Sequence, residues 1–147
     1  MVRILRAMYL HPTTTNHEAS DMKVFIVEDS PEVLQRLVEI VSEIADVDLV
    51  GNAPSYAEAV KGILATRPDV SILDLKLADN QGSGIDVLGR VRKDLPEMRA
   101  IVLSNYVTPQ HLKASADAGA EFFLDKSADS ERIPGILEQM RDELEAD

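Results

Sequence analysis

The chain has 147 residues, too few for two ordinary domains and enough for one with a real core. Its formal net charge is -11, and its 15 Lys and Arg residues form no basic stripe, so direct contact with nucleic acid is not expected. There is no cysteine for a disulfide framework or thiolate metal site, and no apolar run approaches the roughly 20 residues of a membrane span; the expectation is a cytoplasmic protein without membrane insertion.

Residues 1 to 21 differ from the rest of the chain, being short of periodicity and rich in polar residues around His11 to His17. They read as a flexible N-terminal extension or an upstream start, with a docking helix carrying Val2, Leu5 and Tyr9 as the rival reading. From Met22 the pattern changes. Val24 to Val27 form an apolar run ending on Glu28 and Asp29, and Ser30-Pro31-Glu32 then starts a helix: a hydroxyl cap, a proline at the first position and an acid in the first turn. Val33, Leu34, Leu37, Val38, Val41 and Ile44 come next at helical spacing.

Asp48 to Gly51 suit a short edge strand, and Ser55 caps a second helix that Arg67-Pro68 ends. Asp69 to Asp74 predict the central strand, an apolar run suited to burial on both faces of a parallel sheet. A loop containing Gly82 and Gly84 leads to a third helix marked by Ile85, Val87, Leu88 and Val91. Residues 99 to 104 predict the fourth strand, and Pro109 opens a helix that Gly119-Ala120 closes. Phe122 to Leu124 make the fifth strand, and the last helix starts between Ser130 and Ile133, because Pro134 belongs in its first turn.

Five βα units in a row imply a doubly wound α/β fold, with a parallel sheet, right-handed crossovers and helices on both faces. Ligands of such sheets bind beyond the carboxyl ends of the strands. Four apolar runs end there on polar residues: Glu28 and Asp29, Asp74, Ser104, and Asp125 with Lys126. Each has a bland reading alone, as a helix cap, a loop acid, a turn hydroxyl or a surface charge. Their convergence on one rim is costly unless something is bound. His111, with no such support, reads as a solvent-face residue of the fourth helix.

From Met22 onward the chain resembles the receiver domain of two-component response regulators. The resemblance rests on the acidic pair Glu28 and Asp29, the acceptor Asp74, the hydroxyl Ser104, the aromatic Phe123 and the lysine Lys126, in order at the strand ends. It implies a flavodoxin-like (βα)5 fold of strand order 2-1-3-4-5, with residues 22 to 147 as a stand-alone receiver. Asp74 would be phosphorylated with Mg2+ or Mn2+ held by Asp29, Asp74, the Lys76 backbone carbonyl and, at longer range, Glu28, while Lys126 pairs with phosphoryl oxygens. Ser104 and Phe123 would carry the switch.

The implied partners are a sensor histidine kinase or phosphotransfer protein upstream and a protein docking on the fourth helix, fifth strand and fifth helix downstream. The chain would catalyse only its own phosphorylation and dephosphorylation. Lys76 and Tyr106, each two residues past a site residue, would shield the acyl phosphate and slow its loss. Three departures from the family pattern stand out: Ala78 where a proline is usual, in a loop about two residues longer; Ser127 where a cis proline often follows the lysine; and Phe123 for the commoner tyrosine. The competing readings are a degenerate receiver that binds partners without phosphorylation and a Mg-dependent phosphatase with an aspartyl nucleophile. The latter wants a second aspartate two residues on, where Lys76 stands.

Overall fold

The computed structural model describes residues 21–78 and 80–146, so the reading of the N-terminal extension lies outside the described residues apart from Asp21. In chain order the elements are β1 (Met22–Val27), α1 (Pro31–Ser42), β2 (Val47–Ala53), α2 (Tyr56–Thr66), β3 (Val70–Asp74), α3 (Gly84–Val91), β4 (Arg99–Ser104), α4 (Pro109–Asp117), β5 (Phe122–Asp125), a 3-10 turn (Ser130–Arg132) and α5 (Ile133–Ala146). All strand pairs are parallel and the order is β2-β1-β3-β4-β5, as expected from the alternation and the resemblance.

The helix starts are where the capping residues put them. Ser30, Ser55, Ser83 and Thr108 each accept a hydrogen bond from a first-turn amide, satisfying a donor that the helix itself leaves orphaned. Ser83 and Asp86 form a full capping box, which fixes α3 directly after the loop that leaves β3. Among the described residues all peptide bonds are trans, including the one after Lys126, where the chain has serine.

Two cores lie on the two faces of the sheet. On one, Val24, Ile26, Val70, Ile72, Ile101, Leu103 and Leu124 meet Leu37 and Val41 of α1 and Leu137 and Met140 of α5. On the other, Phe25, Val27, Leu73 and Ala100 meet Ala59 and Ile63 of α2 and Val87, Leu88 and Val91 of α3. The Phe25 ring is wedged between β2 and α2, and a Cβ at either Gly51 or Gly62 would come within 2.8 Å or 2.7 Å of it. Small residues there let the helix approach the sheet around a large side chain.

α4 is seated differently. Its only buried residue is Ser115, and its apolar Leu112 faces solvent. A helix with so little apolar surface against the sheet is the one most easily displaced.

Candidate functional site

Strand geometry decides which end-of-strand residues meet. Side chains alternate faces, so Glu28 continues the row of Val24 and Ile26, Asp74 that of Val70 and Ile72, and Lys126 that of Phe122 and Leu124. All three therefore emerge on the face under α1 and α5. Ser104 and Phe123 have the opposite parity to Leu103 and Leu124, and belong to the other face.

The first group is tightly knit. Lys126 Nζ lies 2.9 Å from Glu28 Oε1 and 3.0 Å from Asp74 Oδ2, with its side chain largely buried. The other Glu28 oxygen accepts the Ser30 amide at 3.1 Å, and the other Asp74 oxygen accepts the Lys76 amide at 3.4 Å. Asp29 is exposed beside them, and one carboxylate oxygen from each of Glu28, Asp29 and Asp74 falls within 4.8 Å of the others. A cavity of about 530 Å³ opens over this group, walled by Val33, Leu37, Ile40 and Ile133.

Electrostatics follow from that crowding. Burial, then the neighbouring Glu28 charge, pushes Asp74 up from 3.8 to about 7, more than the Lys126 hydrogen bond and charge pull it down. Burial pushes the Lys126 ammonium down, but the hydrogen bonds and charges of Glu28 and Asp74 together outweigh it and leave it above its ordinary value. Three carboxylates gather beside the Lys126 ammonium, which contacts two of them, while Lys76 and Arg36 are exposed on the wall of the same cavity. The donor set is hard oxygen only, and its excess negative charge is what a small divalent cation would balance, so the residues fit Mg2+ or Mn2+.

Ser104 lies on the far side of Asp74 and is tied to its own loop. Its hydroxyl donates to the Tyr106 carbonyl at 2.8 Å and accepts the Tyr106 amide at 3.0 Å. Its carbonyl accepts the Lys126 amide at 2.9 Å, which links β4 to the lysine. Phe123 is half-buried opposite Val102. A second cavity, about 470 Å³, borders Asp74 here and is lined by Leu75, Ile85, Ser104, Tyr106, His111 and Ala114. The expected single rim thus has two pockets, one on each side of Asp74.

Gly84 makes the arrangement possible. A Cβ at this position would stand 2.2 Å from the Asp74 carbonyl oxygen, and the Gly84 amide donates to the Leu75 carbonyl at 2.9 Å. α3 can begin against the end of β3 only because the residue has no side chain.

His111 needs correction. It is half-buried, and its Nδ1 has no exposed surface and no hydrogen-bond partner, because α4 turns this residue toward the second cavity and not toward water. Arg36 and Asn105 also line the first cavity and were not singled out by sequence; Arg36 lies three residues past Val33, one helical turn along the same wall.

Comparison with known proteins gives the family and the fold. Residues 24–138 match the family described as "Response regulator receiver domain". Over 105 residues the chain is 34% identical to the DNA-binding transcriptional activator DevR/DosR of Mycobacterium tuberculosis, covering 71% of this chain and 48% of that protein. It is 26% identical over 112 residues to the response regulator protein VraR of Staphylococcus saprophyticus, covering 76% and 53% respectively. The chain spans about half the length of the curated relatives it matches. Among solved structures, the signal receiver domain of the putative response regulator NarL from Mycobacterium tuberculosis superposes with a TM-score of 0.74 at 25% identity, covering 83% of this chain and 97% of that one. A CheY-like receiver domain protein from Methanospirillum hungatei, 22% identical over 86% of this chain and 98% of its own, shares the fold with a TM-score of 0.71.

Proposed function

The chain belongs to the response regulator receiver family of phosphorylation-based two-component signalling, and from that premise we propose that Asp74 is its phospho-acceptor. The observation that carries this reading is Lys126 bridging Glu28 and Asp74 at 2.9 and 3.0 Å, beside a third carboxylate, at the carboxyl edge of a parallel sheet.

In this reading an Asp74 carboxylate oxygen attacks the phosphorus of a phosphohistidine on a sensor kinase or phosphotransfer protein. The P–O bond forms as the P–N bond breaks, and the imidazole leaves with the bonding pair and takes up a proton. Such transfer is mainly positioning and charge neutralisation. Mg2+ or Mn2+, when held by Asp29, Asp74 and the Lys76 carbonyl with Glu28 at longer range, supplies positive charge against the phosphoryl oxygens. Lys126 exchanges its bond to Asp74 for one to the phosphoryl group, keeping Glu28 as its anchor. Asp74, at about 7 without a cation, must lose its proton to act, which ties reactivity to cation binding.

Ser104 and Phe123 then report the modification: the hydroxyl moves toward a phosphoryl oxygen and Phe123 turns toward the space it leaves. The readout is a changed surface at α4, β5 and α5 presented to a partner protein. The receiver itself, at a chain net charge of -11, contacts no nucleic acid, and its only chemistry is its own phosphorylation and dephosphorylation in the cytoplasm. No helix among the described residues is long and apolar enough to cross a membrane.

The test is incubation with acetyl phosphate and Mg2+ and then intact mass, with Asp74→Asn in parallel. The expected outcome is one added phosphoryl group that needs Mg2+ and is absent from the variant. The same gain in Asp74→Asn would overturn the assignment.

A further inference from the structure

Tyr106 is the most exposed large apolar side chain among the described residues, at 76% of its surface. It nevertheless borders a mostly apolar cavity of about 470 Å³ between α3 and α4. That volume is ample, since an apolar cavity of about 150 Å³ takes up a benzene ring. An aromatic ring left in water next to a space that would hold it is restrained by something else.

The restraint is on its main chain. The Ser104 hydroxyl holds both polar backbone groups of Tyr106, donating to the carbonyl and accepting from the amide. A hydroxyl has one proton. If Ser104 donates it to a phosphoryl oxygen on Asp74, it must stop donating to the Tyr106 carbonyl, and the Asn105-Tyr106 turn loses its tether. The cavity also carries a group suited to receive the phenol. His111 Nδ1 is buried there without a partner, a costly state that a phenol relieves with either tautomer, since it can donate or accept. Leu75, Ile85 and Ala114 offer the apolar surface for the ring.

We propose that Tyr106 is a second moving residue of the switch: when Ser104 turns to a phosphoryl group on Asp74, the Tyr106 ring folds into the cavity between α3 and α4 and bonds His111. This rests on the phospho-acceptor reading of Asp74. Closure removes an aromatic from the surface beside Val107 and Leu112, the other exposed apolar residues at this end of α4, and changes the face a partner meets. It also places a ring against α4, the helix least anchored by apolar burial.

The chain has no tryptophan, so Tyr106→Trp introduces a single indole whose emission and acrylamide quenching report burial at this position. With acetyl phosphate and Mg2+, the proposal expects a blue shift and at least about a twofold fall in quenching, with intact mass read on the same sample. A second variant, Tyr106→Trp with Ala114→Leu, obstructs the cavity mouth and should gain the phosphoryl group while the indole stays quenchable. A third, Tyr106→Trp with Ser104→Ala, removes the tether and should lower quenching with no phosphodonor present. A phosphoryl gain without change in quenching overturns the proposal and leaves the Asp74 reading intact. If no phosphoryl group is gained, the Asp74 reading fails, and the Ser104→Ala arm still decides the release step: unchanged quenching overturns it, and protection supports it.

Discussion

Replacing Asp74 by asparagine should make the metal-free protein more stable at pH 8 and leave it little changed at pH 4. Asp74 is 5% exposed, and burial with the nearby Glu28 charge raises it from 3.8 to about 7. Between these values the folded chain holds a proton that the unfolded chain has released, so wild-type stability falls as pH rises through this window and levels off above it. At roughly 1.36 kcal/mol per pH unit the full cost approaches about 4 kcal/mol. That balance already contains the Lys126 hydrogen bond and charge, which hold Asp74 down at about 7, and in the variant Glu28 still holds the ammonium. A gain of about 4 kcal/mol at pH 8 follows, the two proteins being matched at pH 4 where Asp74 is neutral. Urea unfolding of both proteins with a chelator present, at intervals from pH 4 to 8, reads this directly. A difference that does not change with pH, or a variant less stable than wild type at pH 8, would refute the account of a buried carboxylate strained by its neighbours.

The same geometry sets four further outcomes. Mg2+ should stabilise the wild type by about 2.7 kcal/mol at a hundred times its Kd, read as a rise in unfolding midpoint, and Asp29→Asn should lose most of that gain. Gly84→Ala should cost about 1–3 kcal/mol and slow phosphorylation by acetyl phosphate, because its Cβ would strike the Asp74 carbonyl from 2.2 Å; wild-type unfolding and rate would show that α3 simply shifts. Ser104→Ala should accept phosphate nearly as well as wild type by intact mass but bind its downstream partner more weakly when phosphorylated; equal binding would remove Ser104 from the switch. Lys76→Ala and Tyr106→Ala should each shorten the lifetime of the acyl phosphate, measured by loss of the phosphoryl mass after donor removal, and unaltered lifetimes would end the shielding argument.

Much of the fold was legible because its signals are local. Ser30-Pro31, Ser55, Pro109 and Gly119 punctuate the helices through capping and backbone freedom, which depend on neighbours in sequence. β2 was less legible: it runs from Val47 to Ala53, longer than the Asp48 to Gly51 expected, since its buried end residues Val47 and Ala53 pair with Met22 and Val27 of β1 across polar Asp48 and Asn52.

The site divides in the same way. The sequence by itself determined which chemical groups the strands end on, because an apolar run stops where the chain leaves the core, and that placed Glu28, Asp29, Asp74, Ser104 and Lys126 at one edge of the sheet. Only the tertiary structure decided how they pair. Strand parity and the order of β1, β3 and β5 bring Lys126 between Glu28 and Asp74, while Ser104 turns to a second cavity with Tyr106 and His111. For His111 the sequence misled, since a lone histidine in a polar helix carries no mark of which side faces inward. That side is set by where α4 lies on the sheet, and the helix has too few apolar residues for periodicity to reveal it.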